Sequence, residues 1–202
     1  MIQIANYITA KSLRIVALFL LKFRSSFASK YYRVKIIICE ESKYQSHNFI
    51  IKIIPYVLCI EDRRYYSHYG IDVYSIIRAT YKCLFTNKLE GASTILQQLI
   101  RNILDEREVS AKRKLNEIFI AVLINEDFSK DEIIYAYLNT YKFIKYKGVI
   151  DLCLNENYDI NKLSTCQYAQ IAARLKYPSI TKNNYSKYLK RVRTIEILVN
   201  EK

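Results

Sequence analysis

Three short stretches of this 202-residue chain concentrate the residue types that catalysis uses. The first is Glu61-Asp62-Arg63-Arg64-Tyr65-Tyr66-Ser67-His68-Tyr69-Gly70, two adjacent carboxylates beside two arginines and a histidine, directly after an apolar run. Such neighbours shift a carboxylate's proton affinity, which suits general acid or base work. A solvated, ion-paired helix end with a hydrogen-bonded histidine accounts for the same residues and, taken alone, is the commoner meaning. The second is Gly91-Ala92-Ser93-Thr94-Ile95-Leu96-Gln97-Gln98-Leu99-Ile100-Arg101-Asn102. A glycine followed by Ser-Thr enters a helix and offers free N–H groups and hydroxyls to whatever lies there. Arg101, four residues after Gln97, shares its helix face. An ordinary N-cap on a polar helix explains this stretch equally. In the third, Lys112-Arg113-Lys114-Leu115-Asn116-Glu117, Arg113 stands four residues and Lys114 three residues before Glu117. That spacing commonly marks a surface salt-bridge ladder.

Helices must position these residues. Three glycines and two prolines are too few for the tight turns of a sandwich, a barrel or a Rossmann domain. A hydrophobic content of 51% excludes a wholly disordered chain. Val73, Ile76, Ile77, Thr80 and Leu84 predict a helix over roughly 72–86, and Leu115, Ile118, Phe119, Val122 and Leu123 another over about 111–126. Ser129-Lys-Asp-Glu132 and Ser164-Thr-Cys-Gln167 are capping boxes, each opening an apolar-periodic segment. A last amphipathic segment runs from about Tyr188 to Val199. Tyr31 to Cys39 looks β-prone, and Pro55 breaks the apolar run Ile50 to Leu58. The class expected is mostly α.

Charge and cysteines bound the partners. A net charge of +13 points to an anionic partner: nucleic acid, a lipid surface or a phosphorylated substrate. The nineteen tyrosines fit base stacking, sugar sites and membrane interfaces alike. Five scattered cysteines form neither a zinc pattern nor a disulfide framework and read as buried free thiols, which sit awkwardly with an oxidising compartment. Ile15 to Leu21 is an apolar run of seven, too short to cross a bilayer, among Lys11, Arg14, Lys22 and Arg24. Residues 1–29 are therefore expected to be a short basic-apolar segment, either membrane-associating or a buried packing helix, ahead of one domain over 30–202.

Taken in order, the pieces resemble the family 51 glycosyltransferases, the peptidoglycan glycosyltransferase domains of bifunctional penicillin-binding proteins and of monofunctional transglycosylases. The resemblance rests on Glu61–Gly70, Arg78-Ala79, Gly91–Asn102, Arg113–Glu117 and Lys130–Asn139, with Leu163–Pro178 similar to a later helix and its alanine-rich run. It covers roughly 52–180. It implies a lysozyme-like, two-lobed helical fold whose smaller lobe meets the membrane. The activity implied is polymerisation of lipid II, by inverting transfer from an undecaprenyl pyrophosphate donor to the 4-hydroxyl of an acceptor. By resemblance Glu61 is the base and Glu117 a second catalytic glutamate, supporting the leaving group through basic residues or a divalent ion, Mg2+ or Mn2+. No residue is assigned as a metal ligand. Arg78, Arg101, Arg113 and Lys114 face the pyrophosphate; Ser93, Thr94, Gln97 and Gln98 shape the donor subsite; Asp62, His68 and Asn102 complete the substrate-binding set. The partners implied are lipid II, the growing glycan strand, the membrane surface and cell-wall synthesis proteins, not nucleic acid. The location implied is the periplasmic face of the cell inner membrane.

The sequence departs from the family pattern in places. Ala92 stands where a second glycine is usual, Leu96 where threonine is usual, and Tyr65 where phenylalanine is usual. Thr140 to Lys147 carries no glycine. The family's clear membrane-spanning helix is missing from this reading, and no transpeptidase segment follows, so a penicillin target is not expected. A tightened, hydroxyl-poor donor loop would favour a non-catalytic relative that binds lipid II or a cell-wall partner. A lysozyme-like glycan-cleaving enzyme also uses two carboxylates, but it has no pyrophosphate to neutralise with a basic segment. A basic helical nucleic-acid-binding protein would explain the charge and the tyrosines but not the ordered motifs.

Overall fold

Ser129 and Ser164 open their helices as expected. Each hydroxyl accepts the N–H of the third residue on, while Glu132 or Gln167 reaches back to the serine N–H. These helices belong to a computed structural model that describes residues 2–43, 48–86, 91–106, 108–143 and 145–201. Among the described residues there are ten α-helices and no strand; one isolated bridge joins Lys142 and Lys147. The helices are α1 (Ile2–Phe23), α2 (Ser25–Glu41), α3 (Asn48–Glu61), α4 (Val73–Thr86), α5 (Ile95–Leu104), α6 (Ala111–Asp127), α7 (Lys130–Thr140), α8 (Gly148–Asn155), α9 (Thr165–Arg174) and α10 (Tyr185–Asn200). The mostly α class is what the chain has.

α5 is the central element. Ile95, Leu96, Leu99, Ile100 and Ile103 are all buried, and α5 packs on α2, α6 and α7. Each such side chain contributes about 1.5–3 kcal/mol by leaving water. α3 closes the other side against α9 and α10, where Tyr56 stacks on Tyr168 with centroids 5.3 Å apart.

Several sequence expectations are corrected here. Tyr31 to Cys39 is helical. Its β-branched residues belong to α2, whose buried Phe27, Tyr31, Val34 and Ile38 follow helical spacing once the stripe is traced from Phe27. Pro55 lies inside α3 rather than ending it. It removes one hydrogen bond, to Ile51, and both residues are exposed, so water can take the freed carbonyl. The N-terminal helix is far longer than the run of seven: α1 has 22 residues and an 18-residue window of mean hydropathy 1.5, long and apolar enough to cross a membrane. Ile2, Ile4, Ala5, Ile8, Ala10 and Leu13, ahead of that run, extend the apolar character. The division expected near residue 29 falls inside α2. Cys39, Cys83 and Cys166 are exposed, and only Cys59 and Cys153 are buried, because the first three lie on solvent-facing helix positions. Ile144, within the glycine-free stretch, lies outside the described residues.

Gly70 is needed where it stands. Its φ is +84°, and a Cβ there would meet the Ala121 carbonyl oxygen at 2.5 Å. The left-handed backbone and the clash together should make Gly70→Ala destabilising by about 2–4 kcal/mol. Urea unfolding checks this, and a loss under about 1 kcal/mol would mean that the loop relaxes freely.

Candidate active site

Glu61 ends α3 at the edge of a cleft of about 600 Å³. Its side chain is 13% exposed and is held from two sides. Gln98 donates from Nε2 to Oε2 at 3.3 Å, and Arg191, far along the chain on α10, ion-pairs with Oε1. Gln98 is itself oriented, because its Oε1 accepts the Tyr137 hydroxyl at 3.2 Å. Burial, reinforced by the Glu61 charge, pushes the Tyr137 phenol well above its ordinary range, so it remains a donor. The tyrosine thus fixes which end of the Gln98 amide meets Glu61.

Among the described residues, the other carboxylates lining the cleft are committed elsewhere. Asp62, buried, meets the His68 ring at 3.0 Å and accepts the Ile95 backbone N–H at 3.1 Å, so it ties α3 to the start of α5. Asp72 accepts from Arg64 at 2.7 Å; burial alone would raise its pKa, but hydrogen bonds from Arg64 and Ser75 outweigh this and hold it low. Cations dominate the remaining wall: Arg78 and Lys82 from α4, Arg101 from α5, and Lys176 after α9. Glu61 is therefore a carboxylate facing a cationic cleft.

Behind that wall lies a second cluster. Glu117, on α6, is 1% exposed and gathers three cations: Arg101 at 3.0 Å, Lys114 at 3.3 Å and Arg113. The i,i+4 ladder is thus a buried network and not a surface one. Lys114 also donates to Ser93 Oγ at 2.9 Å and Gln97 Oε1 at 2.8 Å, which joins α6 to the loop before α5. Burial lowers the Lys114 pKa; Glu117 opposes this, and Arg101 and Arg113 add to it.

These placements sort the expected residues. Glu61, Asp62, Arg78, Ser93, Thr94, Gln98 and Arg101 line the cleft together. His68, Thr94 and Gln97 are buried and act in the framework: Thr94 caps α5 and donates to the Gly70 carbonyl at 2.8 Å. Glu117 is sealed in, both its oxygens are taken by cations, and it reaches the cleft through Arg101. Asn102 lines a neighbouring hollow with Lys142 and Phe143, and Arg113 lines another with Asn116. Leu96 is core, so the substitution for threonine fills packing space and leaves the cleft surface unchanged; Ala92 does line the cleft. Among the described residues no group of three His, Cys, Asp or Glu side chains is placed to hold a metal. The donors around Glu117 are cations, which does not fit a divalent ion there.

Arg191 escaped the sequence reading. Its only local signal is an arginine bordering the buried stripe Tyr188, Val192 and Ile195 of α10. Lys130 is a further, half-buried cation, with Nζ 4.9 Å from the Tyr65 ring centroid. Burial pushes it down to about 8, against the pull of Asp62. Between pH 8 and 10.5 the unfolded chain binds more protons at this lysine than the folded one, so its contribution to stability rises with pH across that window. Above pH 10 the half-buried Tyr141 and the buried Tyr188, both raised to about 12 by desolvation, act in the opposite direction. Lys130→Met should therefore flatten the climb in urea midpoint between pH 8 and 9.5; an unchanged climb would assign it to another group.

Comparison with known proteins gives this arrangement a family. A family model described as Transglycosylase matches residues 39–199. The chain belongs to the transglycosylase family. Penicillin-binding protein 1A of Clostridium botulinum (strain Langeland / NCTC 10281 / Type F) is 35% identical over 151 residues, 67% of this chain and 18% of the relative. Penicillin-binding protein 1F of Bacillus subtilis (strain 168) is 38% identical over 127 residues, covering 60% and 18%. Penicillin-binding protein 1A of Rickettsia bellii (strain RML369-C) is 36% identical over 152 residues, covering 69% and 19%. The chain spans under a fifth of the length of these relatives, and the transglycosylase match holds both the Glu61 cleft and the Glu117 cluster.

Proposed function

We propose that this member of the transglycosylase family is a peptidoglycan glycosyltransferase that polymerises lipid II. One observation carries the reading: Glu61 is a positioned carboxylate facing a cleft otherwise rich in arginine and lysine. Inverting transfer asks for a base at the attacking 4-hydroxyl and for positive charge at the departing pyrophosphate. Glu61 takes the hydroxyl proton. Arg78, Lys82 and Arg101 meet the anionic leaving group, and Glu117 acts as a positioning residue that aims Arg101 and Lys114. Steered attraction of an anionic substrate follows from the same charge. In this reading the arginines and lysines supply the positive charge at the leaving group. The site works at the periplasmic face of the inner membrane, where the lipid-linked donor, the growing glycan and cell-wall synthesis partners would meet it.

A hydrolase would need a second carboxylate across the bond; Asp62 and Asp72, the other acidic residues of the cleft among the described residues, are both tied into the framework. The test is purified full-length chain with fluorescent lipid II in detergent. A ladder of glycan products is expected. Lipid II bound but not consumed would make the chain a non-catalytic binder, and shortened preformed glycan would make it a hydrolase.

A further inference from the structure

Beyond Arg191 the positive wall of the cleft continues onto a face that the transfer step does not use. α10 presents Lys187, Lys190, Arg191 and Thr194 at helical spacing, beside its buried stripe of Tyr188, Val192 and Ile195. With Lys176 and Tyr177, which follow α9, they line a hollow of about 230 Å³. The hollow and the cleft share a border, since Ile60, Lys176 and Arg191 line both. Among the described residues no carboxylate lines the hollow.

Its lysines are uncommitted. Lys176, Lys187 and Lys190 are exposed, and among the described residues none of their ammonium groups has an ion pair or a hydrogen bond. Lys11, Lys30, Lys35 and Lys147, by contrast, each face a carboxylate. Like charges three and four residues apart on one helix face repel. Lys187 stands so spaced from both Lys190 and Arg191, with no acidic residue at the matching positions to relieve them. Arg191 gives Glu61 one hydrogen bond, and its guanidinium has further N–H groups to offer. The volume falls below the roughly 300–1,000 Å³ of sites for drug-sized molecules. It suits one end of a short acidic chain, not a whole sugar-lipid.

We propose that this hollow takes a carboxylate-bearing peptide, the stem carried by the acceptor sugar, and that Lys187 and Lys190 grip its acidic end. The proposal rests on the reading of the cleft as a lipid II polymerase. There Glu61 faces the acceptor hydroxyl, and Arg191 touches Glu61 on one side and the hollow on the other, so what the hollow holds belongs to the acceptor. The leaving-group cations stand on α4 and α5, so a peptide carboxylate seated on α10 does not compete with the pyrophosphate for them.

Soluble disaccharide-pentapeptide, which has neither lipid nor pyrophosphate, isolates this contact. Titration calorimetry on the full chain in detergent compares the free acid with the form whose carboxylates are amidated. The free acid should bind about threefold to tenfold tighter, the range expected of two exposed charge pairs, and the preference should shrink in high salt. Lys187→Gln/Lys190→Gln should keep its helical circular dichroism and lose the preference. Lys52→Gln/Lys162→Gln, which removes the same charge at exposed positions outside the hollow and the cleft, should keep it. Equal binding of the two forms overturns the proposal, as does a preference that survives in Lys187→Gln/Lys190→Gln. A preference lost equally in both double variants also overturns it, since bulk charge would then be the cause. So does flotation on phosphatidylglycerol vesicles that falls in Lys187→Gln/Lys190→Gln with no peptide preference in the parent, because the lysines would then serve a lipid headgroup. None of these readouts needs turnover. A chain that prefers the free acid but makes no polymer keeps the subsite and loses the transferase reading, whereas polymerisation of amidated lipid II at the parent rate and KM loses the subsite alone.

Discussion

Glu61→Gln should slow lipid II polymerisation by about 10²–10⁴-fold, the usual contribution of a positioned base, with the fold intact. Glutamine keeps the shape of the side chain and leaves an oxygen to accept from Arg191 or Gln98, the two partners that hold Glu61. What it lacks is the basic lone pair that takes the proton of the attacking hydroxyl. The loss should fall on the maximal rate, with lipid II binding held within a few-fold, because the cations of the cleft are untouched. Initial rates over a range of lipid II concentrations, beside thermal unfolding of the same preparation, make the comparison. A variant as fast as the parent would remove Glu61 from the chemistry.

Glu117→Ala should harm stability and turnover together. Three cations converge on this carboxylate at a position 1% exposed, and removing it leaves them to repel one another with no counter-charge. Breaking a buried ion network from one side typically costs about 3–5 kcal/mol. Arg101 would lose its aim into the cleft, and loss of one preorganised charge stabiliser lowers turnover by about 10²–10³-fold. Adding Lys114→Met removes one of the repelling cations and should restore part of the stability without restoring turnover. Urea midpoints for the two single variants and the double variant give the coupling directly. Single-variant losses under about 1 kcal/mol would mean that the network behaves as an exposed ladder.

Much of this was legible in the sequence because the signals were local. A capping box occupies four residues, and both boxes start helices where expected. The helices expected over 72–86 and 111–126 are Val73–Thr86 and Ala111–Asp127. The Arg113–Glu117 pairing follows from spacing alone; its burial does not, because the helices packed on α6, namely α1, α2 and α5, come from other parts of the chain. The misreadings have the same cause. Tyr31 to Cys39 is rich in strand-forming side chains, and tertiary packing of one helical stripe overrides that preference. Arg191 reaches Glu61 across 130 residues of chain, a contact no local pattern encodes.

That long contact sets an order of events during synthesis. Glu61 leaves the ribosome well before Arg191, and at ordinary elongation rates 130 residues take roughly 6–26 s. Throughout that interval Glu61 is already made, while Arg191 and the helix that carries it have yet to arrive. Because α10 also packs on α3 and α9, its docking couples completion of the cleft to completion of the core. Until α10 docks, Glu61 lacks the arginine that holds it in the folded chain.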